Sequence, residues 1–253
     1  MGSVAFVGAG PGSADLITVR GANRLRQADV VLFDALTDPA LRELAPRAVW
    51  IDVGKRGYCD STGQTKINAL LVRHARDVAL VVRLKGGDPS VFGRLEEELE
   101  ALAAAGIACE VIPGVTAAIA AAAVSQRPLT RRGHGRSVTL TTAMTRDGQL
   151  QITRGADTEV FYMAGKQLAA LSRHLLAAGW PPETPTSVVS RAGWPDQLQS
   201  DQPVADLQQA AMLHAGRPAV VTVGAGAGAI GRPTVPELAV SVRVPPLPLH
   251  RKP

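Results

Sequence analysis

A seven-residue segment at 83–89, RLKGGDP, combines the residue types that a small-molecule site needs. Two adjacent glycines let a ligand lie against the backbone, and the carboxylate of Asp88 can accept hydrogen bonds from the hydroxyl or amine groups of a ligand. A plain tight turn would also use Gly, Asp and Pro, but it would not account for Arg83 and Lys85. We therefore predict that this segment binds a ligand.

Two further turns rich in Gly or Pro follow apolar runs in the same way. One is GAGPG at 8–12, and the other is PGVT at 113–116, where Thr116 either caps a helix or offers its hydroxyl to a ligand. Open α/β sheets bind ligands at the carboxyl ends of their parallel strands. Three such turns after three strands predict a ligand cleft along one edge of a sheet.

A group of arginines in the middle of the chain lacks local counter-charges. No Asp or Glu occurs between Glu110 and Asp147, whereas several arginines do: Arg127, Arg131, Arg132, Arg136 and Arg146. Such a cluster suits an anionic partner, although arginines on a solvated loop would give the same pattern. The charge pattern by itself leaves both interpretations open.

The histidines and cysteines form no recognisable site. The histidines show no metal-ligand spacing, and no Ser-His-Asp or Cys-His set can be assigned to them. Cys59 and Cys109 lie far apart without a C-x-x-C pair, which indicates a reducing compartment rather than a disulfide framework. We expect no metal site. Met163, within FYMA at 161–164, is interpreted by default as a core residue of a strand.

Alternating strands and helices are predicted to position these segments. Apolar runs typical of buried strands occur at 4–10, 29–34, 48–54, 78–84 and 108–114. Helical patterns occur between and after them, at 17–28, 65–75, 94–106 and 116–125. This alternation predicts a largely parallel sheet with crossover helices.

A Pro-, Gly- and Arg-rich stretch at 126–136 precedes a second, sparser alternation. Its strands are predicted at 136–143, 158–164, 186–192 and 219–226, and its helices at 166–179 and 204–216. We therefore predict an α/β protein with an N-terminal α/β domain at 1–128, a C-terminal α/β domain at 129–244 and a Pro-rich tail at 245–253.

Composition agrees with this organisation. The chain has 253 residues, of which 46% are hydrophobic and 19% charged, so it is long enough for two domains with real cores and is not a disordered or disulfide-rich chain. The start of the sequence runs directly into a strand-like segment, and no apolar run reaches the roughly 18 residues of a membrane span. We expect a cytoplasmic protein without a membrane partner.

Several segments, taken in order, resemble those of one family, the tetrapyrrole methyltransferases. They are VGAGPGSADLIT, ADVVLFDALTD, VGKRG, QTKINALLV, VVRLKGGDPSVFGR, EEE, VIPGVTAA, RPLTRR, EVFYMAGK and RAGWPDQ. The resemblance extends over about residues 4–225. RLKGGDP together with VGKR and IN-LLV is most similar to the members that methylate uroporphyrinogen III.

The resemblance implies two α/β domains of the tetrapyrrole methylase type, with S-adenosyl-L-methionine in the cleft between them, and a homodimer. It implies that uroporphyrinogen III is methylated twice, at C2 and C7, through precorrin-1 to precorrin-2, with S-adenosyl-L-homocysteine as the second product. Such a reaction belongs to porphyrin biosynthesis, and the resemblance leaves open whether its product feeds sirohaem, cobalamin or haem d1 biosynthesis. It requires no nucleic-acid partner.

Residue roles follow from the same resemblance, position by position. The implied cofactor contacts are Pro11, Gly86, Gly87, Asp88, Val91, Thr116, Ala117, Met163 and Ala192. The implied catalytic residues are Asp34 as proton acceptor, Lys55 as proton donor, and Arg94. The implied substrate contacts are Arg94, Glu97, Arg131, Arg132 and Met163. Guanidinium groups pair with carboxylates in bidentate fashion, which suits the carboxylates around the rim of the substrate.

The chain departs from the family pattern at several positions, most of which are expected to line the cleft. The departures are Ser90 for an aromatic residue, Arg131 for His, Ala143 and Met144 for Gly-His, Ala192 for Gly, and Tyr58-Cys59 where the family has a His shortly after VGKR. We expect them to leave the cofactor scaffold intact and to bear on substrate geometry.

Three alternative functions compete with this one. A methyltransferase of the same fold acting on a later precorrin or cobalt-precorrin differs at RLKGGDP and VGKR and in substrate choice. An NAD-dependent oxidoreductase would bind nicotinamide at 8–12, but the G-x-G-x-x-G fingerprint requires glycine where Ser13 stands. A nucleic-acid-binding module would use the basic second half of the chain, which lacks interleaved aromatic residues.

Overall fold

The first sheet has five parallel strands. In the computed structural model, which describes residues 2–54, 63–144, 152 and 154–230, these strands are β1 (Ser3–Gly8), β2 (Val30–Phe33), β3 (Val49–Asp52), β4 (Leu80–Lys85) and β5 (Ala108–Ile112). Their spatial order is β3-β2-β4-β1-β5. The predicted parallel sheet is confirmed. The strands that precede the three predicted ligand turns, β1, β4 and β5, are neighbours in it.

Four α-helices accompany this sheet: α1 (Val19–Leu25), α2 (Gln64–Asp77), α3 (Leu95–Ala104) and α4 (Ala117–Val124). The hydroxyl of Thr18 caps α1 by accepting a backbone N–H at 3.1 Å, and Gly106, at φ +67°, follows the end of α3. Helix α2 buries Ile67, Leu71 and Ala75, which are four residues apart and share one face.

Residues of β1 alternate between two hydrophobic cores, as expected for a strand that is buried on both faces. Val4 and Phe6 pack into the core that contains α2 and α3, whereas Ala5 and Val7 pack into the core on the opposite face, with Leu25 of α1. Because both faces of the sheet are covered, its C-terminal edge is the part that a ligand can approach.

The second sheet is mixed rather than parallel. Its strands are β6 (Val138–Thr142), β7 (Thr158–Tyr162), β8 (Pro185–Ser190), β9 (Leu198–Pro203) and β10 (Ala219–Gly224), in the order β6-β7-β10-β8-β9. β6 and β7 are parallel, and the other pairs are antiparallel. Helix α5 (Leu168–Ala177) contributes Leu168, Leu171 and Leu175 to the core on one face.

Two elements of the second half differ from the sequence prediction. The helix predicted at 204–216 is a 3₁₀-helix over Val204–Ala210, whose buried Val204, Leu207 and Ala210 are three residues apart, the period of that helix. Strand β9 was not predicted, because its sequence, LQSDQP, contains no apolar run. It lies at the edge of the sheet beside β8, where polar residues are tolerated.

Helix α4 follows the first sheet but packs against the second. Its Ala118 and Ala121 contact the core that contains Val160, Tyr162 and Val189, and the small alanine side chains permit this close approach. The two α/β units are confirmed, while the predicted boundary after residue 128 falls in the segment between α4 and β6. The predicted tail lies outside the described residues. No helix in the described ranges is long and apolar enough to cross a membrane.

Candidate active site between the two sheets

A cavity lies between the C-terminal edge of the first sheet and one face of the second. The space between its walls, with the open solvent at its mouth included, is about 950 Å³. Residues from both halves of the chain line it. They include every residue predicted as a cofactor contact: Pro11, Gly86, Gly87, Asp88, Val91, Thr116, Ala117, Met163 and Ala192.

The three glycine-rich turns are bonded to one another at the edge of the first sheet. Gly10 and Gly87 exchange two backbone hydrogen bonds, of 3.3 and 2.7 Å. A Cβ atom on Gly8 would lie 2.6 Å from the Cα atom of Gly114, so glycine is required there for the turns to pack. The predicted cleft along one sheet edge is therefore confirmed, and Gly8 and Gly114 serve its packing rather than ligand contact.

Asp88 joins two of these turns. Its Oδ1 accepts the N–H of Ser90 at 2.8 Å, and its Oδ2 accepts the N–H of Gly114 at 2.9 Å. The carboxylate was expected to accept hydrogen bonds from a ligand. Each oxygen retains a second lone pair for that purpose, and the backbone bonds fix its orientation.

Gly86 and Gly87 leave open space where a side chain would otherwise stand. The atom nearest to a Cβ on Gly86 would be Leu36 Cβ at 3.4 Å, and for Gly87 it would be Thr116 Cα at 3.9 Å. Gly87 also has φ +72°, which disfavours any residue with a side chain. Both glycines therefore expose backbone to the cavity.

The second sheet supplies Tyr162 and Met163 at the end of β7. Met163 has φ +57° and is 43% exposed, so the default interpretation of Met163 as a core residue is wrong: it points out of the strand end and lines the cavity. Thr116 stands at the N-terminus of α4 but does not cap it. Its hydroxyl bonds to the Tyr162 hydroxyl at 2.7 Å, and that hydroxyl accepts the N–H of Ala118 at 3.2 Å.

Four charged side chains form a cluster, in which Arg83, Lys85 and Glu98 are buried and Asp34 is partly exposed. Arg83 Nη2 donates to Asp34 Oδ1 at 2.6 Å and Arg83 Nε donates to Glu98 Oε1 at 3.0 Å, while Lys85 Nζ donates to Glu98 Oε2 at 2.7 Å. Burial opposes the charged guanidinium, but Asp34 and Glu98 outweigh it and raise the pKa of Arg83. Burial, and then repulsion by Arg83, lower the pKa of Lys85. Arg83 and Lys85, the two cations of RLKGGDP, thus belong to an ion cluster.

Most of the described residues that were predicted as catalytic or as substrate contacts lie outside the cavity lining. Asp34 follows β2 and is two residues from Leu36, which lines the cavity. Arg94, at the N-terminus of α3, forms a two-bond pair with Glu97, both bonds at 2.7 Å. Met163, predicted for both cofactor and substrate, does line the cavity. Lys55 lies outside the described residues.

The arginines of the central cluster have different environments. Arg127 is buried and forms a two-bond pair with Asp201, both bonds at 2.5 Å, so its counter-charge comes from a residue far along the chain. The guanidinium of Arg131 donates to the carbonyl oxygen of Gly228. Arg132 is exposed. Local sequence suggested an uncompensated cluster, and the structure removes Arg127 from it.

Most of the departures that the structure describes lie outside the lining of this cavity, and Tyr58 and Cys59 lie outside the described residues. Of Ser90, Arg131, Ala143, Met144 and Ala192, only Ala192 lines the cavity. Ala143 is buried in the core of the second sheet, and Met144 and Ser90 are exposed.

Sequence reasoning missed several residues of the cavity wall: Leu36, Phe92, Tyr162, Val189, Arg191, Trp194 and Pro218–Val220. Phe92 and Tyr162 are each next to a predicted contact, and their rings touch with centroids 5.0 Å apart. An aromatic residue beside a predicted contact is a signal that could have found both. The start of β10 carries no such signal, because its residues are ordinary apolar strand residues.

Sequence comparisons place these features in a known family. The family model for Tetrapyrrole (Corrin/Porphyrin) Methylases matches residues 3–208. The chain is 41% identical over 228 residues to a uroporphyrinogen-III C-methyltransferase of Pseudomonas aeruginosa, covering 88% of this chain and 93% of that relative. It is 48% identical over 193 residues to a siroheme synthase of Edwardsiella ictaluri, covering 74% of this chain but only 42% of that longer relative.

Solved structures give the same result. The uroporphyrin-III C-methyltransferase of Thermus thermophilus in complex with S-adenosylhomocysteine matches with a TM-score of 0.77 and 35% identity, covering 88% of this chain and 97% of that one. A cobalt precorrin-4 methyltransferase matches with a TM-score of 0.78 and 29% identity, covering 90% and 96%. The chain therefore belongs to the tetrapyrrole methylase family.

Proposed function

We propose that this protein is an S-adenosyl-L-methionine-dependent C-methyltransferase that methylates uroporphyrinogen III twice, at C2 and C7, through precorrin-1 to precorrin-2. The observation that carries the proposal is the convergence of all the cofactor positions of the family on one cavity between the two sheets. The names of the Pseudomonas aeruginosa and Thermus thermophilus relatives support the same reaction.

The cavity fits S-adenosyl-L-methionine. Gly86 and Gly87 leave backbone exposed where a Cβ would intrude, and Val91, Ala117 and Val220 give the wall an apolar character. When bound, S-adenosyl-L-methionine supplies an activated methyl group on its sulfonium and leaves as S-adenosyl-L-homocysteine. The apolar wall excludes water from that group, and the fixed turns orient it.

The residues of the chain must then align a pyrrole carbon of the substrate and remove a proton from it. We assign the proton acceptor to Asp34, whose side chain is 31% exposed and which lies two residues from Leu36 of the cavity wall. Proton transfer by a positioned carboxylate makes a modest contribution compared with alignment. Lys55 is the proposed proton donor on the family resemblance alone.

Arginines outside the cavity suit the carboxylates of the substrate. Arg132 is exposed, and the Arg94–Glu97 pair stands two residues beyond Phe92, which lines the cavity. Arg131 is a further proposed contact, although its guanidinium already bonds to Gly228. Exposed guanidinium groups bind carboxylates in bidentate pairs, so these residues are proposed to hold the rim of the macrocycle.

The proposed assembly is a homodimer, as in the family, and the proposed compartment is the cytoplasm. Cys109 is a free, exposed thiol, which is compatible with a reducing environment. Neither nucleic acid nor membrane is a proposed partner.

The experiment that tests the function is anaerobic incubation of the purified protein with labelled S-adenosyl-L-methionine and enzymatically generated uroporphyrinogen III. Mass spectrometry and absorbance of the extracted tetrapyrrole report the number of methyl groups gained. We expect two methyl groups per macrocycle. Cofactor binding without methyl transfer would contradict the proposed substrate.

A second candidate is a methyltransferase acting on a later precorrin or cobalt-precorrin. The observation that favours it is the similarity of the fold to that of the cobalt precorrin-4 methyltransferase. Methyl transfer to a later precorrin, with none to uroporphyrinogen III, would establish this alternative.

A further inference from the structure

We propose that Arg83 is a positioning residue for Asp34, holding its carboxylate at the edge of the cavity through a rigid bridge to the buried Glu98. The proposal rests on the proposed function, in which Asp34 accepts a proton from the substrate. It gives a role to Arg83, the first residue of RLKGGDP, although Arg83 itself does not line the cavity.

Arg83 and Lys85 lie on the same face of β4, because they are two residues apart in a strand. Glu98 of α3 covers that face and is fully buried. The exposed fractions of the Arg83, Lys85 and Glu98 side chains are 3%, 3% and 0%, whereas that of Asp34 is 31%. Asp34 is therefore the member of the cluster that solvent or substrate can reach.

Arg83 is held on several sides. Its Nε donates to Glu98 at 3.0 Å, and its Nη1 lies 3.3 Å from the carbonyl oxygen of Leu84 and 3.4 Å from that of Leu32. The remaining nitrogen, Nη2, donates to Asp34 Oδ1. A guanidinium fixed in this way holds Nη2 in one place, so it determines where the Asp34 carboxylate stands.

The cluster is difficult to explain by stability alone. Buried ion pairs lose their hydration, and replacing them with apolar residues of similar volume is often neutral or stabilising. Two cations and two anions make the cluster neutral, since Lys85 compensates Glu98 and Arg83 compensates Asp34. Glu98 fixes Arg83, and Lys85 neutralises Glu98. The need to orient Asp34 therefore explains why all four residues are present.

A double-mutant cycle tests the proposal. Arg83→Lys keeps the positive charge, but a single ammonium group cannot reproduce the fork that bridges Glu98 and Asp34. We expect Arg83→Lys to bind S-adenosyl-L-methionine as the parent does, and to lower the single-turnover rate of methyl transfer about tenfold to a hundredfold, with little change in the KM for the tetrapyrrole. In an Asp34→Asn background the same change should lower the rate less than about twofold.

Two controls separate positioning from folding. Arg127→Lys alters another Arg–Asp pair, in which Arg127 is buried and Asp201 of β9 is exposed, and it should lower the thermal midpoint without lowering the rate. If Arg83→Lys does not fold, Arg83→Met combined with Glu98→Gln keeps the cluster neutral while leaving Asp34 unheld, and should show the same kinetic loss. A crystal structure of the Arg83 variant should show the Asp34 carboxylate displaced.

The outcomes distinguish the two proposals. A parent protein that methylates no uroporphyrinogen III would overturn the proposed function and, with it, this role of Arg83. Two results with an active parent would overturn the role of Arg83 alone. One is that Arg83→Lys lowers the rate of methyl transfer by the same factor in the presence and absence of Asp34. The other is that Arg83→Lys loses cofactor binding.

Discussion

The indole N–H of Trp194 donates a hydrogen bond to the carbonyl oxygen of Pro11 at 3.1 Å. This bond joins the segment after β8, in the second sheet, to the turn after β1, in the first. Beside it the N–H of Ser13 donates to the carbonyl oxygen of Gly193 at 3.0 Å. Because Pro11 and Trp194 both line the cavity, these bonds fix its width at one end.

Replacing Trp194 by Phe should therefore weaken cofactor binding. The aromatic ring remains, but the N–H that holds Pro11 is lost, and a neutral hydrogen bond contributes about 1 kcal/mol. We expect the Kd for S-adenosyl-L-methionine, measured by isothermal titration calorimetry, to rise about fivefold.

Trp180→Phe is the matched control for Trp194. Trp180 is buried in the core of the second sheet, and among the described residues its indole N–H has no hydrogen-bond partner. This substitution should lower the unfolding free energy and leave the Kd for the cofactor unchanged. An unchanged Kd in Trp194→Phe would show that the bond to Pro11 does not set the cavity width.

Comparing Gly87→Ala with Gly106→Ala should separate the effect of backbone strain on stability from the effect of ligand contact on cofactor affinity. Both glycines have positive φ, +72° and +67°, so a methyl group should cost each about 1–2 kcal/mol of stability. Only Gly87 lines the cavity. We expect similar losses in chemical denaturation, but a cofactor Kd raised at least about tenfold only in Gly87→Ala. Equal cofactor affinity in the two variants would contradict contact at Gly87.

Tyr162→Phe should destabilise the protein through α4. The Tyr162 hydroxyl accepts the buried N–H of Ala118, and removing it leaves that donor unpaired at a cost of about 1–2 kcal/mol. Thr116→Val breaks only the bond between the two hydroxyls and should cost less. Urea denaturation of both variants measures the difference. A larger loss in Thr116→Val would mean that the Tyr162 hydroxyl does not support the helix.

The sequence predicted the first sheet well because its strands are buried on both faces and appear as continuous apolar runs, such as VALVVRL before Gly86. It predicted that the three glycine-rich turns lie together because parallel strands end at the same edge of a sheet. Strand β9 was not predicted because it is an edge strand with a polar sequence, which contains no apolar run.

Contacts between distant residues account for what the sequence did not reveal at the site. The partner of Arg127, Asp201, and the acceptor for Trp194, Pro11, are far away in sequence, so no local pattern indicates either pair. The pairing of Arg83 with Glu98 could not be predicted for the same reason. The charges are visible in the sequence, but their burial against each other depends on α3 packing across β4.

Stability should fall as the pH is lowered below about 6.5, because of His214. Its ring is buried, with Nδ1 2.9 Å from the Ser190 hydroxyl and Nε2 2.9 Å from the Ser200 hydroxyl. Burial, and then repulsion by Arg217, lower the pKa of His214. The unfolded chain then binds a proton at a higher pH than the folded protein does, so protonation favours unfolding as the pH falls through the unfolded value.

Urea denaturation at a series of pH values measures this effect. His214→Gln removes the titrating group. The unfolding free energy of this variant should therefore decrease less than that of the parent as the pH falls from 7 to below about 6.5. The same slope in the variant and the parent would assign the pH dependence to other groups.

Arg132 and Arg131 should differ in their effect on the substrate. Arg132 is exposed, so Arg132→Ala should raise the KM for the anionic tetrapyrrole and weaken its dependence on salt, since one screened charge interaction is removed. The Arg131 guanidinium bonds to Gly228, so Arg131→Ala should mainly lower the thermal midpoint and raise the KM less. Steady-state kinetics at low and high salt, with thermal melts, measure both effects. A larger rise in KM for Arg131→Ala, at an unchanged midpoint, would show that Arg131 leaves Gly228 to bind the substrate.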